Sequence, residues 1–213
     1  MAAFDFKKEY KDLYLPKTAP MLIDVPAMVF LCVDGAGDPN TCAAYKEALE
    51  LLYGLSYSIK MSKMDGTQPE GYFDYVVPPL EGFWSMDDAA FDGRNVMDKA
   101  RFKWTAMIRQ PEFVTPRVLD QARAVLHRKK PELDLSRARL ETVTEGLCAQ
   151  VMHVGPYDDE PAALDRLDRF IREAGYRLDL SGSRRHHEIY LGDPRRTAPE
   201  KLRTVLRHPI APL

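Results

Sequence analysis

The chain has 213 residues, 45% of them apolar and 29% charged, with a formal net charge of −2 at neutral pH. A chain of this length buries roughly 70% of its unfolded surface without covalent staples, and its composition is that of an ordinary globular protein. The near-neutral balance excludes broad attraction to nucleic acid or to an anionic membrane, and leaves room only for local basic patches.

The first strand candidate, "AMVFLCVDG", runs into a Gly-containing turn and then a helix, "NTCAAYKEALELLYG". Asn40 is the expected N-cap. Ala44, Ala48, Leu51 and Leu52 share one face, and Gly54 is the expected stop. "YSIKM" follows as a strand candidate, then "YFDYVV", then "RFKWTAMIRQP". The second helix is "TPRVLDQARAVLHRKK", capped by Thr115, opened by Pro116 and striped by Val118, Leu119, Ala122, Val125 and Leu126. "LCAQVMHVG" then leads into a third helix, "EPAALDRLDRFIREAG", opened by Pro161 and ended by Gly175. "DDE" at 158–160 complements its dipole. "YRLDL" and "HHEIYLGDP" are the last strand candidates before a short helix at Pro199. "RHPI" is expected as an edge strand.

The order strand, helix, strand, strand occurs twice, which predicts an internal duplication. The Gly37-to-Tyr57 and Gly155-to-Tyr176 spans are nearly equal, and Pro111, Pro116 and Leu119 match Pro194, Pro199 and Leu202 in spacing. The surplus of the first half falls at about 64–97 and is rich in aromatic residues. The expectation is one α+β domain over 1–213, with half one at about 25–130 and half two at about 140–213. Duplicated βαββ modules would form a continuous antiparallel sheet, with helices on one side and a ligand groove between the halves.

Cys32, Cys42 and Cys148 are odd in number, scattered and without a CxxC, which argues against a disulfide framework and for a cytoplasmic setting. No apolar run is long enough to span a membrane, and none near the start suggests a signal peptide.

The stretch "RRHHEIYLGDPRR" concentrates the chemistry. On a strand His186, Glu188 and Tyr190 share one face, and His187, Ile189 and Leu191 the other. Ile189 and Leu191 are the expected core side, under the helices. The proline spacing pairs Glu188 with Thr105 and Tyr190 with Met107, which makes the groove acidic on one side only. His186 and Glu188 alone are too few for a zinc site, so no metal is expected and the histidines are best explained as solvated residues at a strand end. Glu188 in an aromatic groove would hold a cation or act as a base toward water. The bland alternative is an exposed glutamate paired with Arg184 or Arg185. "DGAGDPN" lacks the residues of a phosphate loop.

"DVPAMVFLCVDGAGDPNT", "YVVPPLEGFWSM", "FKWTAMIRQPEFVT", "MHVGPYDDEP" and "RHHEIYLGDPRR…PEKLRTVLRHPI" together resemble the stand-alone GyrI-like proteins, from about residue 5 to 210. The resemblance implies a bacterial small-molecule groove related to effector-binding domains of multidrug-responsive regulators. It also implies, for some members, hydrolysis of cyclopropanoid electrophiles as a detoxification. On that basis Glu188 is the candidate general base, and Tyr75 or Tyr157 stabilises developing negative charge. The expected ligand contacts are Trp84, Tyr190, Trp104, Met107 and Tyr72. No metal or organic cofactor is implied, and the partner is a small aromatic or cationic molecule. The alternative is a non-catalytic sequestering or partner-binding module. Direct nucleic-acid binding is not expected, since only about 25 residues precede the first repeat, without a helix-turn-helix.

Overall fold

The computed structural model describes residues 3–85, 99–181 and 183–213. Part of the aromatic surplus at 64–97, from residue 86 on, lies outside the described residues. Nine strands among the described residues form one sheet, and their pairings are antiparallel. They are β1 (Met21–Val25), β2 (Met28–Ala36), β3 (Leu80–Ser85), β4 (Lys103–Arg109), β5 (Arg139–Val143), β6 (Gly146–Val154), β7 (Tyr176–Leu178), β8 (His186–Tyr190) and β9 (Arg203–Pro212). The helices are α1 (Phe6–Glu9), α2 (Lys11–Tyr14), α3 (Ala43–Met61), α4 (Pro116–Lys129) and α5 (Glu160–Glu173).

The spatial order is β1-β6-β9-β8-β3-β4-β2-β5, with β7 added beside β9. Outward from the central β3–β8 pair the order is symmetric: β4 answers β9, β2 answers β6, and β5 answers β1. Each half also gives its leading strand to the other. β1 precedes β2 in the chain but pairs with β6, and β5 precedes β6 but pairs with β2. This exchange ties the two βαββ units into one sheet.

Strand alternation sets two faces. Leu31 and Val33 of β2 meet α3 and α4, while Phe30 and Cys32 of the same strand meet Phe6, Leu13 and Tyr14 of the N-terminal segment. The helix α5 covers β6 and β9 through Ala163, Leu167 and Ile171 against Ala149, Val151 and Leu206. The long helices therefore lie on one side, and the short α1 and α2 close the other.

Several local expectations are corrected. "YSIKM" is the last turn of α3, because Leu55 and Ile59 continue the helical stripe begun at Leu51 and Leu52. Gly54 does not stop that helix. It lets α4 approach, since a Cβ there would stand 2.9 Å from Leu126 Cδ2. The N-cap of α3 is Cys42, and Asn40 instead sits in a turn held by Asp38. "YFDYVV" makes only one bridge, Tyr75 to Phe4, and the strand after α3 is "LEGFWS". "RHPI" is interior, because β9 runs between β6 and β8. Thr115 and Pro116 cap and open α4 as the sequence indicates.

A charged network lies under the sheet and holds the N-terminal segment. His187 is fully buried, with Nδ1 3.0 Å from Glu145 Oε1 and Nε2 3.0 Å from Glu81 Oε2. Arg207 donates to Glu145 at 2.8 Å, to Gln150 Oε1 at 3.0 Å and to the Leu13 carbonyl at 2.8 Å. Tyr14 donates to Glu81 at 3.2 Å. Burial opposes the Glu145 charge, but His187 and Arg207 outweigh it and hold its carboxyl at about 2. Its stabilising share is therefore complete above its ordinary value of 4.5 and is lost as pH falls toward about 2. For Glu145→Gln, which strands Arg207 and His187, urea unfolding at neutral pH should show a loss of about 3–5 kcal/mol. The deficit should shrink on acidification through that window.

Candidate functional site

A large open cavity of about 2340 Å³ lies over the central β3–β8 pair. Its walls are Tyr45, Leu49 and Tyr53 of α3 on one side, and Tyr157, Glu160 and Leu164 at the start of α5 on the other. Trp84 of β3 and His186, Glu188 and Tyr190 of β8 lie along the strands between them. The site therefore falls on the approximate two-fold between the halves.

Glu188 sits opposite Gly82 in the β3–β8 register. The expected pairing with Thr105 is wrong because β8 is the counterpart of β3, the first strand after the helix, and not of β4. Ile189 is core as expected, but on the face away from the long helices. Ile189 packs under the sheet against the N-terminal segment, and the helices share the face of Glu188.

Glu188 keeps 16% of its side-chain exposure. Oε1 lies 2.9 Å from His186 Nε2, and Oε2 accepts from the Tyr190 hydroxyl at 2.6 Å. Tyr190 in turn accepts from Trp84 Nε1 at 2.9 Å. Burial opposes the Glu188 charge, but the hydrogen bond and charge of His186 and the Tyr190 hydroxyl hold the carboxyl below its usual range. Arg184 and Arg185 are not its partners: Arg184 pairs with Asp179, and Arg185 donates to Thr105 at 2.8 Å.

Glu160 behaves oppositely. Expected as a surface helix-dipole residue, it is 8% exposed and turned into the cavity. Burial, then the Glu188 charge, raises its pKa well above the ordinary value. Its Oε1 has no hydrogen-bond partner among the described residues. Tyr157 stacks edge-on to Tyr190 at 5.8 Å, and burial together with Glu160 and Glu188 pushes its phenol up to about 12. The cavity thus holds one carboxyl whose pKa is lowered, one whose pKa is raised, and several phenols in an aromatic setting.

Of the residues singled out in the sequence, Glu188, Tyr157, Trp84 and Tyr190 line this cavity. Trp104 does not. It is 2% exposed and packs edge-on behind Tyr45 at 4.9 Å. Tyr75, Tyr72 and Met107 lie on the opposite face, since Tyr75 and Met107 are core residues under the sheet and Tyr72 donates to the Lys60 carbonyl at 2.6 Å. They are misplaced because residues 72–77 pack beneath the sheet instead of adding a strand beside the groove. The histidines are not solvated either. His187 is in the lower network, and His186 binds Glu188. The sequence reading missed Tyr45, Glu160 and His208. Tyr45, Leu49 and Tyr53 form a second helical stripe with i, i+4 spacing, a signal that was present. Glu160 and His208 carry no such signal.

This sheet and cavity define a small-molecule-binding module with an asymmetric acidic floor. The family model for the GyrI-like small molecule binding domain matches residues 18–211, and the chain belongs to that family. No curated protein matches it. A solved structure described as a hydrolase from Listeria innocua is 46% identical, with 98% of this chain and 100% of that chain covered and a TM-score of 0.88. An uncharacterized conserved protein from the same organism is 47% identical over 98% and 100% of the two chains, with a TM-score of 0.92. The C-terminal domain of EcmrR, 13% identical over 91% and 98%, shares the fold with a TM-score of 0.53. No helix of the described residues is long and apolar enough to cross a membrane.

Gly82 makes the Trp84 position possible. A Cβ at residue 82 would stand 2.8 Å from Trp84 Nε1 and 3.2 Å from Cε2. Gly82→Ala should push the indole off Tyr190 and weaken binding of a planar aromatic probe by about 10-fold. Quenching of tryptophan fluorescence reads that loss, and a far-ultraviolet melt confirms that the sheet is intact.

Proposed function

We propose that the cavity hydrolyses small, flat electrophiles bearing a cyclopropane conjugated to a carbonyl. The observation that carries this is a pair of cavity carboxylates in contrasting settings: Glu188 hydrogen-bonded by His186 and Tyr190, and Glu160 buried with Oε1 unpartnered among the described residues. Glu188 is the general base and Glu160 the acid. Glu188 takes a proton from water as the water oxygen bonds to a ring carbon. The strained C–C bond breaks, and its electron pair moves through the conjugated system to the carbonyl oxygen. That oxygen receives the Glu160 proton. Tyr157 donates a hydrogen bond to the same oxygen as charge develops, and Tyr45, Trp84 and Tyr190 hold the substrate flat. The route uses water and side chains alone. The description of a 46% identical relative as a hydrolase supports it.

The test is turnover of a spirocyclopropyl cyclohexadienone, followed as loss of dienone and gain of phenol absorbance. Glu188→Gln should lower the rate by about 10²–10⁴-fold. The wild-type rate should fall as pH drops through the depressed Glu188 value and fall again as pH rises through the raised Glu160 value. Glu160→Gln should remove the alkaline limb. Equal rates for wild type and Glu188→Gln would sink the base assignment. Tight binding with intact probe recovered would make the protein a sequestering module instead.

A further inference from the structure

Behind the cavity wall, a line of polar groups continues from Glu188 away from the ligand space. His186 Nδ1 lies 2.7 Å from His208 Nε2. His208 is 6% exposed and does not line the cavity. Its Nδ1 stands 3.7 Å from Asp168 Oδ1 on α5, whose side chain keeps 22% exposure. Both of those atoms are buried and have no hydrogen-bond partner among the described residues, so the facing atom is what each has available.

We propose that His208 and Asp168 are positioning residues that keep His186 protonated and thereby keep Glu188 ionised. The argument is an account of protons. An ionised Glu188 only accepts, so His186 Nε2 carries hydrogen. One proton lies between His186 Nδ1 and His208 Nε2, and it belongs to one ring or the other. Asp168 decides which. Its carboxylate favours hydrogen on His208 Nδ1, which leaves Nε2 of the same neutral ring as an acceptor. The shared proton then rests on His186 Nδ1, and His186 is an imidazolium with both nitrogens donating. Charge alternates along the line as Glu188 negative, His186 positive, His208 neutral and Asp168 negative, and every facing pair is complementary. Without the Asp168 charge, His208 takes the other tautomer and donates from Nε2, and His186 loses its charge.

The neighbouring groups agree with this assignment. Burial lowers the His208 pKa, Asp168 opposes it by raising the pKa, and the His186 charge lowers it again; the net shift is downward, which favours the neutral ring. From β8 the facing groups are Glu188 and Tyr190. From α5 and the turn before it they are Glu160, Asp168 and Tyr157, and from α3 Tyr45. The two cations ahead of β8 are engaged elsewhere, Arg184 with Asp179 and Arg185 with Thr105.

The inference deepens the reading of Glu188 as the base and rests on it only in its kinetic arm. The first measurement is ¹⁵N NMR of histidine-labelled protein at neutral pH, with His186 assigned by its loss in His186→Gln. Wild type should show imidazolium signals on both His186 nitrogens. Asp168→Asn should return His186 to a neutral ring. The second measurement is the acid limb of kcat/KM for the spirocyclopropyl probe, which should rise by about one pH unit in Asp168→Asn, about tenfold in rate below it, with KM unchanged. A merely structural Asp168 would change stability but neither the ring signals nor the limb. His208→Phe should behave alike. If it fails to fold, Asp168→Asn at its partly exposed site still decides. Unchanged His186 signals in Asp168→Asn overturn the proposal whether or not the probe is turned over. Absence of turnover with the NMR change present overturns the hydrolase reading alone.

Discussion

Strand β8 carries ionisable side chains to both faces of the middle of the sheet, and the rest of the structure is arranged around neutralising them. An isolated charge cannot be buried at tolerable cost, so each needs a partner and hydrogen bonds. Below the sheet His187 is met by Glu81 and Glu145, and Glu145 is met again by Arg207. Above it Glu188 is met by His186 and Tyr190. The lower solution is closed by protein and pins the N-terminal segment through Tyr14 and the Leu13 carbonyl. The upper solution is left open to a cavity and leaves one oxygen of Glu160 unpartnered. One face is therefore a fastening and the other a site.

The duplication explains where the site falls, and the difference between the halves explains why it is asymmetric. Two similar halves meet at β3 and β8, with α3 and α5 standing apart above them. A groove on the axis is a consequence of that geometry. A strictly repeated sequence would put the same residue on both strands. Instead β3 offers Gly82 where β8 offers Glu188. The glycine gives Trp84 room to lie back over its own strand and reach Tyr190. One half thus supplies Glu188 and the other the indole, and the hydrogen-bond line from Trp84 through Tyr190 to Glu188 joins them.

The class of fold was legible because it rests on periodicity. Helices with a Thr115 cap and a Pro116 start, and the repeated order of elements, are local signals. Strand identity after α3 was not legible, since "YSIKM" has strand composition yet continues a stripe begun at Leu51. The proline spacing, separately, aligned the segment of β4 with that of β8, whereas β4 answers β9, so Thr105 replaced Gly82 as the neighbour of Glu188. Glu188 itself survived the error because strand alternation needs no partner. Tyr75, Tyr72 and Met107 did not survive it. An aromatic residue has the same pattern in a core as in a groove, and only the tertiary path of residues 72–77 separates the two.

The protonation pattern also bears on which ligands suit the cavity. A lone buried carboxylate would favour a cation by charge. Here Glu188 is already faced by His186, and burial pushes the Glu160 pKa well up. With both Glu188 oxygens already hydrogen-bonded by His186 and Tyr190, a cation entering the floor gains less from the carboxylate while losing its hydration. A neutral, flat ligand loses less and still meets Glu188, Glu160 and aromatic walls. The hydrogen bonds already made by Glu188 thus favour a neutral aromatic ligand over a cation.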